Sequence, residues 1–158
     1  MPRFLILYSA TFAFFAAFIH GGMYWHDSPE FIMTSFFLLP SHPAGSPAYS
    51  LVAHALTWLP LGPIPARVAL LSTISTGLVV AALFHWASRR SRSAQPGSPL
   101  ESISMAIFLA AAFVASPNLR TYALVPEVYP FHAALLASAF FIVSGAQEAQ
   151  AVPEVARM

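Results

Sequence analysis

The sequence contains no cysteine and no lysine, and only 8% of its 158 residues are charged. The absence of cysteine excludes disulfide bonds, thiolate metal sites and a cysteine nucleophile. A soluble domain usually carries about 25% charged residues, so this chain has too few to solvate a globular surface. Its formal net charge of +1 argues against a nucleic-acid partner. Glycine-rich phosphate loops, HExxH zinc pairs and GxSxG elbows are also missing, so soluble nucleotide-binding and hydrolase mechanisms have no support.

Hydrophobic residues make up 58% of the chain, and they gather in runs that are long enough to cross a bilayer. A spanning helix needs about 20 mostly apolar residues. The first run is longer than a secretory signal and has no convincing cleavage site, so we interpret it as a retained signal-anchor helix. We predict a single all-α integral membrane domain with about four transmembrane helices, at 4–25, 68–87, 100–116 and 129–146.

A proline-rich segment, residues 26–67, separates the first two predicted spans. It holds seven of the 14 prolines, so no continuous spanning helix is expected there. Two short apolar pieces remain, at 31–39 and 48–59, and each is too short to cross a bilayer. We predict that they form two interfacial, or juxtamembrane, helices.

The placement of arginine predicts how the chain is oriented in the membrane. Arg89, Arg90 and Arg92 follow the second predicted span, and positive residues favour the cytoplasmic side. Both termini are then cytoplasmic. The expected connections are outer loops at 26–67 and 117–128, a cytoplasmic linker at 88–99 and a cytoplasmic tail at 147–158.

Ionisable residues of the outer loops each have a structural and a functional interpretation. Asp27 and Glu30 either cap and stabilise a helix start or act as a general base and a metal or hydroxyl ligand. His42 lies in a proline-rich turn, which either punctuates two helices or binds phosphate and transfers a proton. Glu127 either interacts with a helix dipole or marks a functional site at membrane depth.

Two arginines and three histidines leave further alternatives open. Arg67 and Arg120 either snorkel to the interface or clamp an anionic lipid head group. His20, His85 and His132 are interfacial or hydrogen-bonded side chains in one interpretation and ligands of a tetrapyrrole metal in the other. A divalent cation at the carboxylates is one cofactor option, and a tetrapyrrole at the histidines belongs only to the alternative in which the chain is a non-catalytic membrane subunit.

Four motifs occur in a fixed order along the chain. Asp27-Ser28-Pro29-Glu30-Phe31 resembles D-S-G-E-[LF], and residues 42–49 resemble H-P-P-G-Y-P-L-Y. Residues 59–72 resemble L-P-x-G followed by R-V-N-L-L-S, and residues 127–129 resemble E-V-Y. In this order the motifs resemble the N-terminal part of a bacterial membrane-protein family in the GT-C superfamily of glycosyltransferases. That family is related to eukaryotic transmembrane O-mannosyltransferases.

The resemblance implies a reaction on the outer face of the bacterial inner membrane. A polyprenyl-phosphate-linked sugar would be the donor, and a hydroxyl group would be the acceptor. Asp27 would deprotonate the acceptor, which attacks the anomeric carbon with inversion, while Glu30 would support it or hold a cation. Cationic side chains would face the donor phosphate. The substrate-binding residues implied in this way are His42, Tyr49, Arg67, Arg120 and Glu127.

The chain is much shorter than members of that family. Three explanations of its length are open: a fragment, a truncated gene product and a shortened paralogue. A second hypothesis is a non-catalytic subunit of a larger membrane complex, because small residues at 110–112 permit close helix packing. A transporter or channel is disfavoured, since we find no inverted repeat and no polar residues in mid-span. The expected partners are membrane lipid, the polyprenyl-phosphate sugar and, under the second hypothesis, other membrane subunits.

Overall fold

A computed structural model describes residues 2–19, 21–22, 26–42, 45–94, 104, 107–108, 110–112 and 114–155. These residues include helices and connecting turns but no strand, which confirms the all-α prediction. Some of the residues between 104 and 115 are also helical. The helices with defined bounds are α1 (Pro2–Ala16), α2 (Ser28–Phe37), α3 (Pro47–Thr57), α4 (Ile64–Ala94), α5 (Pro117–Leu124) and α6 (Val128–Val155).

Two stretches of the described helices are long and apolar enough to cross a membrane. They are Ile64–Arg89 in α4 and Val128–Gly145 in α6, and they coincide with the second and fourth predicted spans. The apolar part of α1, Phe4–Ala16, is shorter than the roughly 20 residues that a span requires. The predicted third span, 100–116, lies partly outside the described residues. The count of four spans therefore stays a prediction.

Helix α4 is the centre of the bundle. Helices α1 and α6 pack along it, and α2, α3 and α5 also contact it. Of the most apolar 18-residue stretch of α4, 67% is buried, whereas only 22% of the corresponding stretch of α6 is buried. On α6, Leu136 and Ile142 expose 73% and 70% of their surface. An apolar helix face that is open to the outside fits lipid better than water, which indicates membrane association.

Buried hydroxyl groups line part of α4, although no polar residues were expected in this span. The Ser72 hydroxyl donates to the Glu127 carbonyl at 3.1 Å, and the Thr73 hydroxyl donates to the Ala123 carbonyl at 2.7 Å. The Ala123 carbonyl lies at the end of α5 and the Glu127 carbonyl in the connection to α6, and both would be costly to bury without a donor. The two hydroxyls therefore hold this connection against α4.

Several helices differ in extent from the predicted segments. Helix α1 ends at Ala16 rather than near residue 25, and α5 lies within the predicted outer loop at 117–128. Helix α4 continues to Ala94, into the predicted linker at 88–99, and α6 continues to Val155, into the predicted tail. Alanine, arginine, glutamine and glutamate are good helix formers. A helix therefore does not end where the hydropathy falls.

The connection before α4 places Pro63 directly against Gly21. A Cβ atom added to Gly21 would lie 2.3 Å from Cγ of Pro63, which is too close for any real contact. Because a proline ring yields little, we expect Gly21→Ala to lower the free energy of unfolding by about 1–3 kcal/mol. The control is Gly22→Ala, because a Cβ there meets nothing within 4 Å. Thermal unfolding in detergent measures both variants, and equal midpoints would show that this contact is unimportant.

Candidate functional site

A cavity of about 190 Å³ opens where the start of α2, residues 41–42 and 45–46, and the start of α6 meet. Two carboxylates and two imidazoles line it, and they come from three separate segments of the chain. The fold thus brings together Asp27, His42 and Glu127, which were predicted as site residues. The full lining is Asp27, Phe31, Ser41, His42, Gly45, Ser46, Glu127, Val128, Tyr129 and His132.

A cluster of buried apolar side chains packs beside this cavity. Phe31 and Val128 belong both to the lining and to the cluster, which also includes Tyr49 and Val68. The Tyr49 ring lies 5.2 Å from that of Phe31 and 5.9 Å from that of Phe131, between ring centroids. Tyr49 was predicted to bind substrate, but the structure buries it completely in this cluster.

Asp27 occupies the N-cap position of α2, yet its carboxylate makes no capping hydrogen bond. Only its backbone carbonyl takes part, by accepting the Phe31 N–H at 3.0 Å. Pro29 sits in the first turn, where a missing N–H costs nothing because those groups lack helical partners. The exposed carboxylate of Asp27 lines the cavity and is available to a substrate.

Glu30, the other predicted catalytic carboxylate, holds His42. Its Oε1 accepts the His42 backbone N–H at 2.6 Å, and its Oε2 lies 2.8 Å from Nδ1 of the ring. These hydrogen bonds lower the pKa of Glu30, and the same pair raises the pKa of His42. When Nδ1 donates to the carboxylate, the other ring nitrogen, Nε2, remains for a ligand. Glu30 therefore orients the imidazole instead of lining the cavity.

This pairing predicts how His42 titrates. Because the Glu30 carboxylate raises the pKa of His42, its removal in Glu30→Gln should shift the titration of His42 to lower pH. Asp27→Asn serves as the comparison and should give a smaller shift in the same direction, since Asp27 acts on the ring only through its charge. NMR of the histidine ring measures both shifts. An unchanged titration in Glu30→Gln would contradict the pairing.

Glu127 has the opposite environment from Asp27, because only 4% of it is exposed. The Ser72 hydroxyl accepts the Glu127 N–H and also donates to its carbonyl, with both distances 3.1 Å. The Val128 N–H donates to Oε1 of the carboxyl group at 3.0 Å. Burial raises the pKa of Glu127, the Asp27 carboxylate adds to the rise, and the Val128 hydrogen bond opposes it.

The two arginines predicted to bind the donor phosphate do not line this cavity. The guanidinium of Arg67 donates to the carbonyls of Thr57, Leu61 and Gly62 at 2.7–3.0 Å. It therefore ties the end of α3 to the loop before α4, in which Gly62 adopts a positive φ of 53°. Arg120 is exposed on α5.

Two of the histidines considered as tetrapyrrole ligands, His85 and His132, are described, and they lie apart on different helices. His85 lies on α4 between the rings of Phe4 and Phe141, at centroid distances of 6.3 and 5.1 Å. His132 lines the cavity nine residues before Phe141 on α6, or about 13 Å along the axis. His20 lies outside the described residues. Among the residues that the structure does describe, no three His, Asp or Glu side chains are placed to hold a metal ion.

Three residues shape this site although sequence reasoning placed none of them in it, and His132 was considered only as an interfacial or hydrogen-bonded side chain or a tetrapyrrole ligand. Ser72 fixes the backbone of Glu127, and His132 completes the lining. His26 has a positive φ of 63°, and its charge acts to lower the pKa of Glu127. Only Ser72 carried a signal, because it ends the L-L-S part of the third motif.

Comparison with known proteins gives one family match. Residues 27–158 match the family model described as protein O-mannosyl-transferase TMEM260 N-terminal domain. The match covers most of the chain, begins at Asp27 and includes every residue that lines the cavity. None of the curated proteins and none of the solved structures compared with the chain matches it.

Proposed function

Because the chain belongs to the family of the protein O-mannosyl-transferase TMEM260 N-terminal domain, we propose that it is a membrane glycosyltransferase of the GT-C type. The proposed reaction transfers a mannosyl group from a polyprenyl-phosphate donor to a hydroxyl group of an acceptor protein. The proposed location is the bacterial inner membrane, with both termini in the cytoplasm and the cavity on the outer side.

The observation that carries this proposal is the exposed carboxylate of Asp27 in a cavity shared with Glu127 and His42. In the proposed step Asp27 takes the proton of the acceptor hydroxyl, whose oxygen forms a bond to the anomeric carbon. The bond from that carbon to the phosphate oxygen breaks, and the phosphate oxygen keeps the electron pair. A lipid phosphate is a good leaving group, so a base and correct positioning supply most of the catalysis.

His42 is the group that we assign to the donor phosphate. The Glu30 carboxylate favours its protonated form, and Nδ1 is engaged by that carboxylate. A protonated imidazole donates from Nε2 and attracts the negative phosphate. In this proposal Arg67 maintains the fold, since its donors are engaged by carbonyl oxygens.

The test is a transfer assay with the chain in membrane vesicles and a hydroxyl-bearing acceptor peptide. Two mannose donors are compared, one linked to a polyprenyl phosphate and one linked to a nucleotide. We expect transfer from the lipid-linked donor alone, and vesicles without the chain should show none. Transfer only from the nucleotide donor would refute the proposed donor. An inactive chain that co-purifies with other membrane proteins would favour the non-catalytic subunit instead.

A further inference from the structure

Asp27 and Glu127 are two carboxyl groups in one cavity with contrasting surroundings. Asp27 is exposed to solvent, whereas Glu127 is almost fully buried. A carboxyl group whose pKa is raised by burial can serve as a neutral acid beside a second carboxyl group that serves as the base. The contrast between Asp27 and Glu127 fits this division of roles.

The carboxyl group of Glu127 is also held in a fixed position. The hydroxyl of Ser72, on α4, binds both the backbone N–H and the backbone carbonyl of Glu127, and so holds Glu127 against α4. The Val128 N–H donates to Oε1, which makes Oε1 the acceptor oxygen of the group. A proton on the carboxyl group then belongs on Oε2, the oxygen that Val128 does not bind. A neutral Glu127 would present a hydrogen-bond donor at that atom.

A bound phosphate would add to the influences that favour a neutral Glu127. A phosphate-linked donor is negative, and an ionised Glu127 beside Asp27 would repel it. Burial and the Asp27 carboxylate raise the pKa of Glu127, while the Val128 hydrogen bond and two imidazoles act against that rise. The titratable groups that line its cavity or interact electrostatically with it are His26, Asp27, His42, Tyr49, Tyr129 and His132.

We propose that Glu127 is a second catalytic residue, which enters the reaction as a neutral carboxyl group and donates a hydrogen bond to the leaving phosphate oxygen. This inference rests on the proposed function, and it adds Glu127, in its protonated form, to the residues that carry out the transfer. Asp27 receives the acceptor proton, and the phosphate oxygen receives the electron pair of the broken bond. Glu127 keeps its own proton and stabilises the charge that develops on that oxygen.

The kinetic test compares Glu127→Gln with Glu127→Ala. Glutamine keeps the shape and a donor, so we expect about a tenfold loss of activity, whereas alanine should cost about 10²- to 10³-fold. The neutral form of Glu127 persists below its raised pKa, so wild-type activity should fall as the pH rises through that pKa. Glutamine does not ionise, so Glu127→Gln should lose this decline and keep only the one that follows the titration of His42. A glutamine variant as inactive as the alanine variant, or one with the wild-type pH profile, would overturn the inference.

A second measurement does not depend on activity. Infrared spectra of the chain in membranes at neutral pH should show the carbonyl stretch of a protonated carboxyl group. The band should disappear in Glu127→Gln and remain in Asp27→Asn. Absence of this band from the wild-type spectrum would refute a neutral Glu127. If the band is present but the wild-type chain transfers no sugar, the proposed function fails while the protonation state stands.

Discussion

Asp27→Asn is expected to slow sugar transfer by about 10²- to 10⁴-fold, which is the usual contribution of a positioned general base. Asparagine has nearly the shape of aspartate, but its amide does not accept a proton at neutral pH. The carboxylate of Asp27 lines the cavity and makes no capping hydrogen bond to α2. Its only assigned role is therefore chemical, and donor binding should change far less than the rate.

Stability provides the control for this variant. Because the α2 N-terminus does not use the Asp27 side chain, Asp27→Asn should unfold within about 0.5 kcal/mol of the wild type. Asn118→Ala, at an exposed position on α5 outside the cavity lining, is the matched neutral substitution and should leave transfer unchanged. Wild-type rates in Asp27→Asn would remove Asp27 as the base.

Arg67→Ala is expected to lower the free energy of unfolding by about 3 kcal/mol, because a charged donor to several carbonyls is lost. The guanidinium joins Thr57, at the end of α3, to Leu61 and Gly62 in the following loop. Its positive charge also lies at the C-terminus of α3, where the helix dipole favours a cation. Thermal or denaturant unfolding in detergent measures the effect.

Two further arginine variants make this test specific. Arg120→Ala removes an exposed arginine of α5 and should change stability by about 0.5 kcal/mol or less. Arg67→Lys keeps the charge but loses the planar fork of donors, so it should recover only part of the stability. If Arg67→Ala unfolds like the wild type but weakens donor binding, the arginine binds phosphate, as its motif implies.

The two spans and the short helices were predictable because each depends on a local property of the sequence. Apolar runs of bilayer length identified the candidate spans in α4 and α6, and proline clusters separated α2 from α3. The ends of α4 and α6 were not predictable in this way. Hydropathy reports which solvent a helix prefers, whereas the backbone hydrogen bonds that extend α4 to Ala94 do not depend on it.

The site was predictable only in part, because residue types do not reveal which side chains contact each other in the fold. The motif order predicted that Asp27, His42 and Glu127 act together, and the fold places all three in one cavity. The partners of Glu30 and Arg67 were hidden from sequence reasoning. Glu30 binds a ring twelve residues away, and Arg67 binds backbone carbonyls, which every residue has. A residue type alone does not tell a catalytic carboxylate from one that orients a neighbour.

In the proposed mechanism, an acceptor that Asp27 activates directly displaces the lipid phosphate from the sugar. The most direct test is the anomeric configuration of the product, determined by NMR after transfer from a lipid-linked donor of known configuration. Direct displacement predicts a product with the inverted configuration, formed by the wild-type chain and not by Asp27→Asn. A product that retains the donor configuration, or one that Asp27→Asn forms equally fast, would contradict the account.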